Sequence, residues 1–171
     1  MIETHPFGSF VPQDAHYLIL GSFTGKLGDG YDWFYCSKRN QFWPILEVVY
    51  GIKLQNKTEK QKLFNRLGVA ITDIVLKCER KTNNNLDMNL TNIVYNTQAI
   101  VNILQKNKVK IIFFSSRFVE HLFKKQFKEL VKFYSEVKLI TLPSPSPRYA
   151  TMSKLEKITR YKELLPRLKI C

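Results

Sequence analysis

Four short apolar runs place the strongest limit on how this chain can fold. Each run is rich in β-branched or aromatic residues and is followed by polar or turn residues, which is typical of buried strands. The sequence therefore predicts four strands. They are YLIL (17–20), VAITDIV (69–75), VKIIFFSS (109–116) and VKLITL (137–142).

Helical patterns lie between these runs and after the last one. In 92–105, apolar positions such as Ile93 and Ile100 recur on one helical face, and 117–127 and 154–168 show the same spacing. Pro166 should end or kink the last of these helices. The polar stretch KCERKTNNNLDMN (77–89) is interpreted as a long loop after the second strand.

The alternation of strands and helices predicts an α/β fold. Crossover connections of this kind produce a mostly parallel sheet with helices on both faces, and 171 residues suit a single domain spanning 1–171. Ligands of such sheets bind beyond the carboxyl ends of the strands. Four segments should meet at that edge: GSFTG (21–25), TDIV (72–75), SSR (115–117) and LPSPSPRYA (142–150).

The charge balance favours a polyanionic partner. Lys and Arg outnumber Asp and Glu by 27 to 14, a net charge of +13; a basic surface with no such partner is the alternative. Cys36, Cys78 and Cys171 are odd in number and widely spaced, which argues against disulfides, a zinc site or an iron–sulfur cluster. With no leader pattern and no long apolar run, a soluble intracellular protein is expected.

The loop after the first strand is dense in groups that bind nucleotides. Gly21 and Gly25 permit a sharp turn and close backbone approach to a ligand, although a plain turn would also contain them. In WFYCSKRNQFW (33–43), aromatic rings offer stacking surfaces for bases, and Arg39 offers a charge for phosphate. The Asn40 amide suits a base edge or a water molecule. Phe42 and Trp43 are interpreted as core anchors of the next helix.

The segment LPSPSPRYA is stiff because prolines alternate through it. Its serines can bind phosphate through hydroxyl and backbone groups, and Arg148 adds a charge; a simple Pro-rich surface turn is the alternative. Asp73 is interpreted as a buried polar anchor or a helix cap. The three histidines are scattered along the sequence, so no catalytic triad and no metal site is predicted from them.

Taken together, five segments resemble the uracil-DNA glycosylase superfamily, with the closest likeness to its mismatch-specific and hypoxanthine-DNA glycosylase branches. The segments occur in the order of the family and cover most of the chain. They are ILGSFTG (19–25), FYCSKRNQFWPIL (34–46), LGVAITDIVLKCER (67–80), FFSSRFVEHLF (113–123) and LPSPSPRYA (142–150).

This resemblance implies a three-layer α/β/α sandwich with a four-stranded parallel sheet. It also implies hydrolysis of the N-glycosidic bond of a damaged base, without a metal or cofactor. The expected partner is DNA, either a duplex with a damaged or mispaired base or a single strand, and no membrane. Flipping the target base out costs least when it is mispaired. A monomer located at the nucleoid is expected.

The resemblance also assigns roles to individual residues. Tyr35 matches the aromatic residue that stacks on the flipped base, and Asn40 matches an asparagine that acts in catalysis in the hypoxanthine-type branch. Arg39 and the loop 142–148 are expected to contact DNA. The base pocket is expected to be lined by Gly21, Ser22, Phe23, Thr24 and Gly25, and the DNA contacts of the loop by Ser144, Pro145, Ser146 and Arg148.

Two positions depart from the family pattern. Phe23 stands where many members have Asn or Asp, and Leu142 stands where others have His or Asn; the hypoxanthine-type branch shares both differences. Backbone N–H groups of 21–25 or the Asn40 amide would then stabilise the departing base. Alternatively, Asn40 would position the water. Asp29 and Asp32 are further candidates for a general base.

Three functions fit these observations. The first is a DNA glycosylase that removes hypoxanthine or uracil. The second is a non-catalytic DNA-binding protein on the same fold, because the familiar polar groups are absent at Phe23 and Leu142. The third is an enzyme of free nucleosides or nucleotides, with an incidental basic surface.

Overall fold

The computed structural model describes residues 1–25, 32–82 and 86–169. Its described part consists of short strands and helices, with one 3-10 turn at Asp87–Asn89. The elements in chain order are β1 (Ile2–Thr4), β2 (Tyr17–Gly21), α1 (Phe42–Tyr50), α2 (Lys57–Leu67), β3 (Val69–Asp73), β4 (Val75–Arg80), β5 (Leu90–Tyr95), α3 (Thr97–Lys106), β6 (Ile111–Phe114), α4 (Arg117–Gln126), α5 (Lys128–Phe133), β7 (Lys138–Thr141) and α6 (Lys154–Leu164).

The central sheet contains all four strands that the apolar runs predict. Its order is β3-β2-β6-β7, and every neighbouring pair is parallel. Every residue of β3 is buried, as expected of a parallel strand covered on both faces. The register places Gly21 beside Asp73 at the carboxyl end, so the loop after β2 starts next to the end of β3.

Helices cover both faces of this sheet. Alternate residues of β2 point to opposite sides, so Leu18 and Leu20 join one apolar cluster and Ile19 joins the other. The first cluster is packed against α3 and α4, and the second against α1, α2 and α6. The architecture is therefore a three-layer α/β/α sandwich, which confirms the expected fold class.

A second, antiparallel sheet with the order β1-β4-β5 was not predicted. The stretch 77–89 was interpreted as a loop, but its first residues belong to β4, the middle strand. The predicted helix over 92–105 is also wrong at its start, because β5 runs to Tyr95 and α3 begins at Thr97. Pairing with β4 satisfies the backbone of β5, which outweighs the helical spacing of Ile93 and Thr97.

The helix ends follow local chemistry. Ser153 and Glu156 form a reciprocal capping box at the start of α6. This helix ends at Leu164, and Leu165 is extended, because the ring of Pro166 disfavours a helical conformation of the residue before it. Phe42 and Trp43 are buried in α1, as predicted. No helix in the described ranges is long and apolar enough to span a membrane.

Candidate active site

The carboxyl edge of the sheet is closely packed around Gly21. A Cβ atom at this position would overlap both Asp73 Oδ1 and the hydroxyl oxygen of Tyr35, and it would stand 3.2 Å from Tyr35 Cζ. Glycine is therefore required because the side chains of Asp73 and Tyr35 occupy the space where a Cβ atom of residue 21 would lie. The sequence predicts that the backbone at Gly21 approaches a ligand closely; in the structure it approaches the side chains of Asp73 and Tyr35.

Asp73 is the hub of the polar contacts at this edge. Its Oδ2 accepts hydrogen bonds from His5 Nε2 at 2.7 Å, from the Thr24 backbone N–H at 2.9 Å and from Thr24 Oγ1 at 2.9 Å. Because Asp73 is only 2% exposed, these donors replace the water that the carboxylate loses. Asp73 is thus the buried polar anchor, rather than a helix cap, and it fixes the loop that follows β2.

The histidines were expected to form no catalytic triad and no metal site, and His5 makes a pair of another kind with the single acidic residue Asp73. Pairing of β1 with β4 carries the N-terminal segment to the sheet edge, and the His5 N–H donates to Leu76 O at 2.8 Å. The imidazole then meets Asp73 across 68 positions of sequence. Nothing local in the sequence signals this contact, because it depends on the second sheet.

The His5 ring is enclosed by aromatic side chains. Ring centroids of Phe7, Phe23 and Phe34 lie 6.0, 5.8 and 5.5 Å from it. Burial lowers the pKa of His5, but the hydrogen bond and the negative charge of Asp73 more than offset this, so the pKa is raised above 6.5. Nδ1 lies 2.8 Å from Phe7 O and Nε2 faces Asp73 Oδ2, so both ring nitrogens have an acceptor when the imidazole is protonated.

The contribution of His5 to stability should decrease as pH rises. The folded-state pKa lies above the ordinary 6.5, so this contribution is fully present below pH 6.5 and is lost as pH passes the raised value. Urea unfolding of the wild type and of His5→Gln, from about pH 5 to about pH 9, measures it. The difference in unfolding free energy should shrink with rising pH. A constant difference would contradict the assignment; His121→Gln, at an exposed position of α4, is the control.

Tyr35 has an unusual backbone and an unusual hydroxyl. Its φ is +59°, a left-handed conformation that costs a bulky residue about 1–3 kcal/mol. Its ring stacks on Phe42 with centroids 4.3 Å apart. Among the described residues the buried hydroxyl makes no hydrogen bond. Burial raises the pKa of Tyr35 well above its ordinary value and the charge of Asp73 adds to this, whereas Ser115 opposes it. The phenol is therefore neutral.

A second carboxylate, Asp87, contacts the loop after β2. Its Oδ1 accepts from Ser22 Oγ at 2.7 Å. Burial raises the pKa of Asp87 and the nearby charge of Asp73 also raises it, whereas Ser22 and Arg80 lower it. Asp87 lies in the polar stretch interpreted as a loop, and no motif in the sequence marks it as a site residue.

The Phe23 side chain packs against other protein side chains. Its ring lies edge-on to His5, and the guanidinium carbon of Arg80 is 5.4 Å from its centroid. Arg80 is held in turn by Glu3, whose Oε1 is 3.0 Å from Nε. Leu142, the other departure from the family pattern, is 1% exposed and belongs to the core. Neither side chain supplies a polar group to the edge.

Two aspartates were expected as alternative general bases, of which Asp29 lies outside the described residues. Asp32 is exposed, and its Oδ2 accepts from the Lys57 backbone N–H at 3.1 Å at the start of α2. Burial is the largest single influence and raises its pKa, but Cys36, Lys60 and the Lys57 N–H together lower the pKa overall. Asp32 therefore remains a carboxylate engaged with α2.

Asn40 presents an amide at the start of α1. Its Oδ1 accepts from the Phe42 N–H at 2.9 Å, and its own N–H donates to Ser37 O at 3.0 Å. The side chain is thereby fixed, while its Nδ2 has no partner among the described residues and can donate to a ligand. Arg39 is exposed beside it.

The Pro-rich loop adjoins this turn. Gln41, the residue after Asn40, donates its N–H to Pro145 O at 2.9 Å. Within the loop, Ser144 Oγ accepts from the Ser146 N–H and Ser146 Oγ accepts from the Arg148 N–H, both at 3.3 Å. Within the described ranges neither serine hydroxyl donates a hydrogen bond, and the Arg148 side chain is exposed.

The structure thus arranges the expected site residues in two groups. The first group surrounds the carboxylates Asp73 and Asp87 and consists of Gly21, Ser22, Thr24 and Tyr35. The second group consists of Asn40 and the loop of Ser144 to Arg148, which the residue after Asn40 contacts. The Tyr35–Phe42 stack joins the groups, because Phe42 is also the residue capped by Asn40. In the described ranges no cluster of three or more His, Cys, Asp or Glu residues could hold a metal ion.

The fold has a known structural counterpart. The solution NMR structure of a "putative uracil DNA glycosylase" from Methanosarcina acetivorans superposes with a TM-score of 0.69 at 19% sequence identity, over 96% of each chain. This likeness confirms the fold that the five sequence segments imply. No family model matches the chain, and no curated protein matches it.

Proposed function

We propose that this chain is a monofunctional DNA glycosylase of the uracil-DNA glycosylase superfamily. It would hydrolyse the N-glycosidic bond of a deaminated base, hypoxanthine or uracil, flipped out of DNA. The observation that carries the proposal is the fixed Asn40 side chain, whose Nδ2 has no partner among the described residues and whose neighbour Gln41 bonds to the Pro-rich loop. The five-segment resemblance and the shared fold with a protein of that printed name support it.

The chemistry needs donors for the departing base and a position for water. Water oxygen bonds to the sugar C1′ as the C1′–N bond breaks, and the electron pair of that bond leaves with the base. The Asn40 amide, fixed by its bond to the Phe42 N–H, would be the donor for the negative charge that develops on the base. The proton of the water passes to a general base. Asp87 is the candidate for this role, because its pKa is raised and its carboxylate contacts Ser22 in the loop after β2.

Binding would use the basic surface. The net charge of +13 favours a polyanion, and Arg39 and Arg148 are exposed near the turn and the loop that approach each other. Flipping a base costs a few kcal/mol and least at a mispair, which favours deaminated sites. On this proposal the chain acts as one domain and as a monomer on intracellular DNA.

Base release from defined duplexes tests the proposal. Oligonucleotides with a single uracil, hypoxanthine, xanthine or mismatched thymine are incubated with the protein, and alkaline cleavage reports abasic sites. We expect release of at least one deaminated base and a loss of about 10²–10³-fold in rate for Asn40→Ala, with DNA affinity nearly unchanged. Asn65→Ala, at an exposed position of α2, is the matched control. Full activity of Asn40→Ala would show that Asn40 is not the catalytic group.

A non-catalytic DNA-binding protein is the second candidate. The packing of Phe23 and the burial of Leu142 favour it, because both positions lack the polar group that the reaction uses elsewhere in the family. It predicts salt-sensitive DNA binding with no base released from any substrate. Activity on a mononucleoside without preference for duplex would instead indicate an enzyme of free nucleosides.

A further inference from the structure

Lys157 is a buried cation without a counter-anion in the described structure. This residue of α6 is 1% exposed. Its Nζ donates to Gln41 Oε1 at 2.9 Å and to Ser146 O at 3.0 Å, and it lies 5.5 Å from the centroid of the Tyr149 ring. No carboxylate of the described residues comes within 4.0 Å of it.

This arrangement is energetically unusual. Buried charges in proteins are normally paired, because a lost hydration shell costs several kcal/mol per ion. Two neutral oxygens and one aromatic face recover only part of that cost. Burial accordingly lowers the pKa of Lys157. The acid nearest in sequence, Glu156, is bound to the backbone N–H of Ser153 in the capping box of α6. An anion from outside would therefore be stabilised by this lysine.

The position of Lys157 links the two segments expected to contact DNA. It bonds to Ser146 in the Pro-rich loop and to Gln41 beside Asn40, and the Gln41 N–H also bonds to Pro145 O. One ammonium group thus sets the distance between the loop and the Asn40 turn. The sequence between Glu136 and Glu156 contains no acidic residue, so an anion at the loop meets no like charge there.

We propose that Lys157 is the internal cation of a phosphate subsite. A phosphodiester oxyanion bound by Ser144, Ser146 and Arg148 would compensate the charge of Lys157, and Lys157 would hold Asn40 in place through Gln41. Lys157 is then a positioning residue that couples backbone binding to base release. That the anion is a DNA phosphate rests on the proposed function. The observation that Lys157 has no counter-anion among the described residues is independent of that function.

Affinity for an undamaged duplex tests the subsite independently of catalysis. The logarithm of the dissociation constant is measured against the logarithm of salt concentration. Neutralising one phosphate contributes about 0.9 to the slope, and the buried charge of Lys157 would compensate one phosphate from behind the loop, so Lys157→Met should lower the slope by as much as about 0.9. Lys157→Arg, which keeps the charge, should retain the wild-type slope. Lys162→Met removes an exposed lysine from the same helix and should leave the slope unchanged.

The coupling to Asn40 has its own readout. With enzyme saturating over substrate, Lys157→Met should slow base release by about tenfold, because small displacements of a catalytic group are costly. Absence of release by the wild type on every lesion, with the change in slope intact, would refute the glycosylase and leave the subsite standing. A wild-type slope in a folded Lys157→Met would overturn the subsite and show that the lysine only braces the loop.

If Lys157→Met does not fold, an NMR titration of the wild-type protein tests the same subsite. The ammonium of Lys157 is titrated by NMR with and without undamaged duplex. A neighbouring phosphate favours the charged form, so duplex should move the titration midpoint upward. An unchanged midpoint would overturn the proposal. Inorganic phosphate at matched ionic strength is the second arm; an equal shift with free phosphate and none with duplex would overturn the assignment to nucleic acid.

Discussion

Replacing Asp73 by alanine should destabilise the protein by about 3–5 kcal/mol, the largest stability loss we expect from any single substitution at the site. The change removes the acceptor for His5 Nε2, the Thr24 N–H and Thr24 Oγ1 at once. It leaves the His5 imidazole buried beside no anion, and an uncompensated buried charge is more costly than a missing pair. Urea unfolding near neutral pH measures the loss.

Two companion variants make this expectation specific. Asp14→Ala removes an exposed aspartate and should change the unfolding free energy by less than about 0.5 kcal/mol. The double variant His5→Phe/Asp73→Ala should be more stable than the sum of its two single changes predicts, because it removes both partners together. Additive losses would show that the His5–Asp73 contact carries no coupling energy.

Gly21→Ala should damage both stability and base release. Because the new Cβ would overlap Asp73 Oδ1 and the Tyr35 hydroxyl, the loop after β2 has to move, at a cost of about 1–3 kcal/mol. A shift of about 1 Å in a site costs on the order of 10²-fold in rate. Single-turnover base release, measured at a temperature where the variant is folded, separates the second effect from the first.

Gly8→Ala is the matched control for this substitution. A Cβ at Gly8 meets nothing within 4 Å, so the same chemical change should leave stability and rate close to those of the wild type. If Gly21→Ala behaved like Gly8→Ala, the packing of Asp73 and Tyr35 across residue 21 would be irrelevant to function.

The central sheet was predictable because its strands are covered on both faces. Continuous burial makes runs such as VAITD apolar at every position, and this signal survives without any knowledge of tertiary contacts. The second sheet carries no such signal. In β4, Lys77 is exposed, and in β5 the apolar residues Ile93 and Tyr95 fit a strand and a helix equally well.

The candidate site was predictable where its residues lie at or just after the carboxyl ends of the central strands. Gly21 and Asp73 end neighbouring parallel strands and Tyr35 follows the first of them, so their meeting at this edge follows from the topology. His5 and Asp87 reach the same edge through the antiparallel sheet, and no local pattern announces them. The unpaired charge of Lys157 could not be predicted from the sequence either. A helical pattern indicates which face of the helix a lysine occupies, but it does not indicate which groups surround that lysine.

The pairing of β1 with β4 has a consequence for how the protein is made. The N-terminal strand bonds to residues 77–79, and His5 then reaches Asp73. A ribosome adds about 5–20 residues per second, so the first strand waits roughly 4–15 seconds for its partner to be synthesised. The Asp73 hub can therefore be completed only after residue 79 has been synthesised, somewhat before the middle of the 171-residue chain, and an extension fused to Met1 adjoins the strand on which that completion depends.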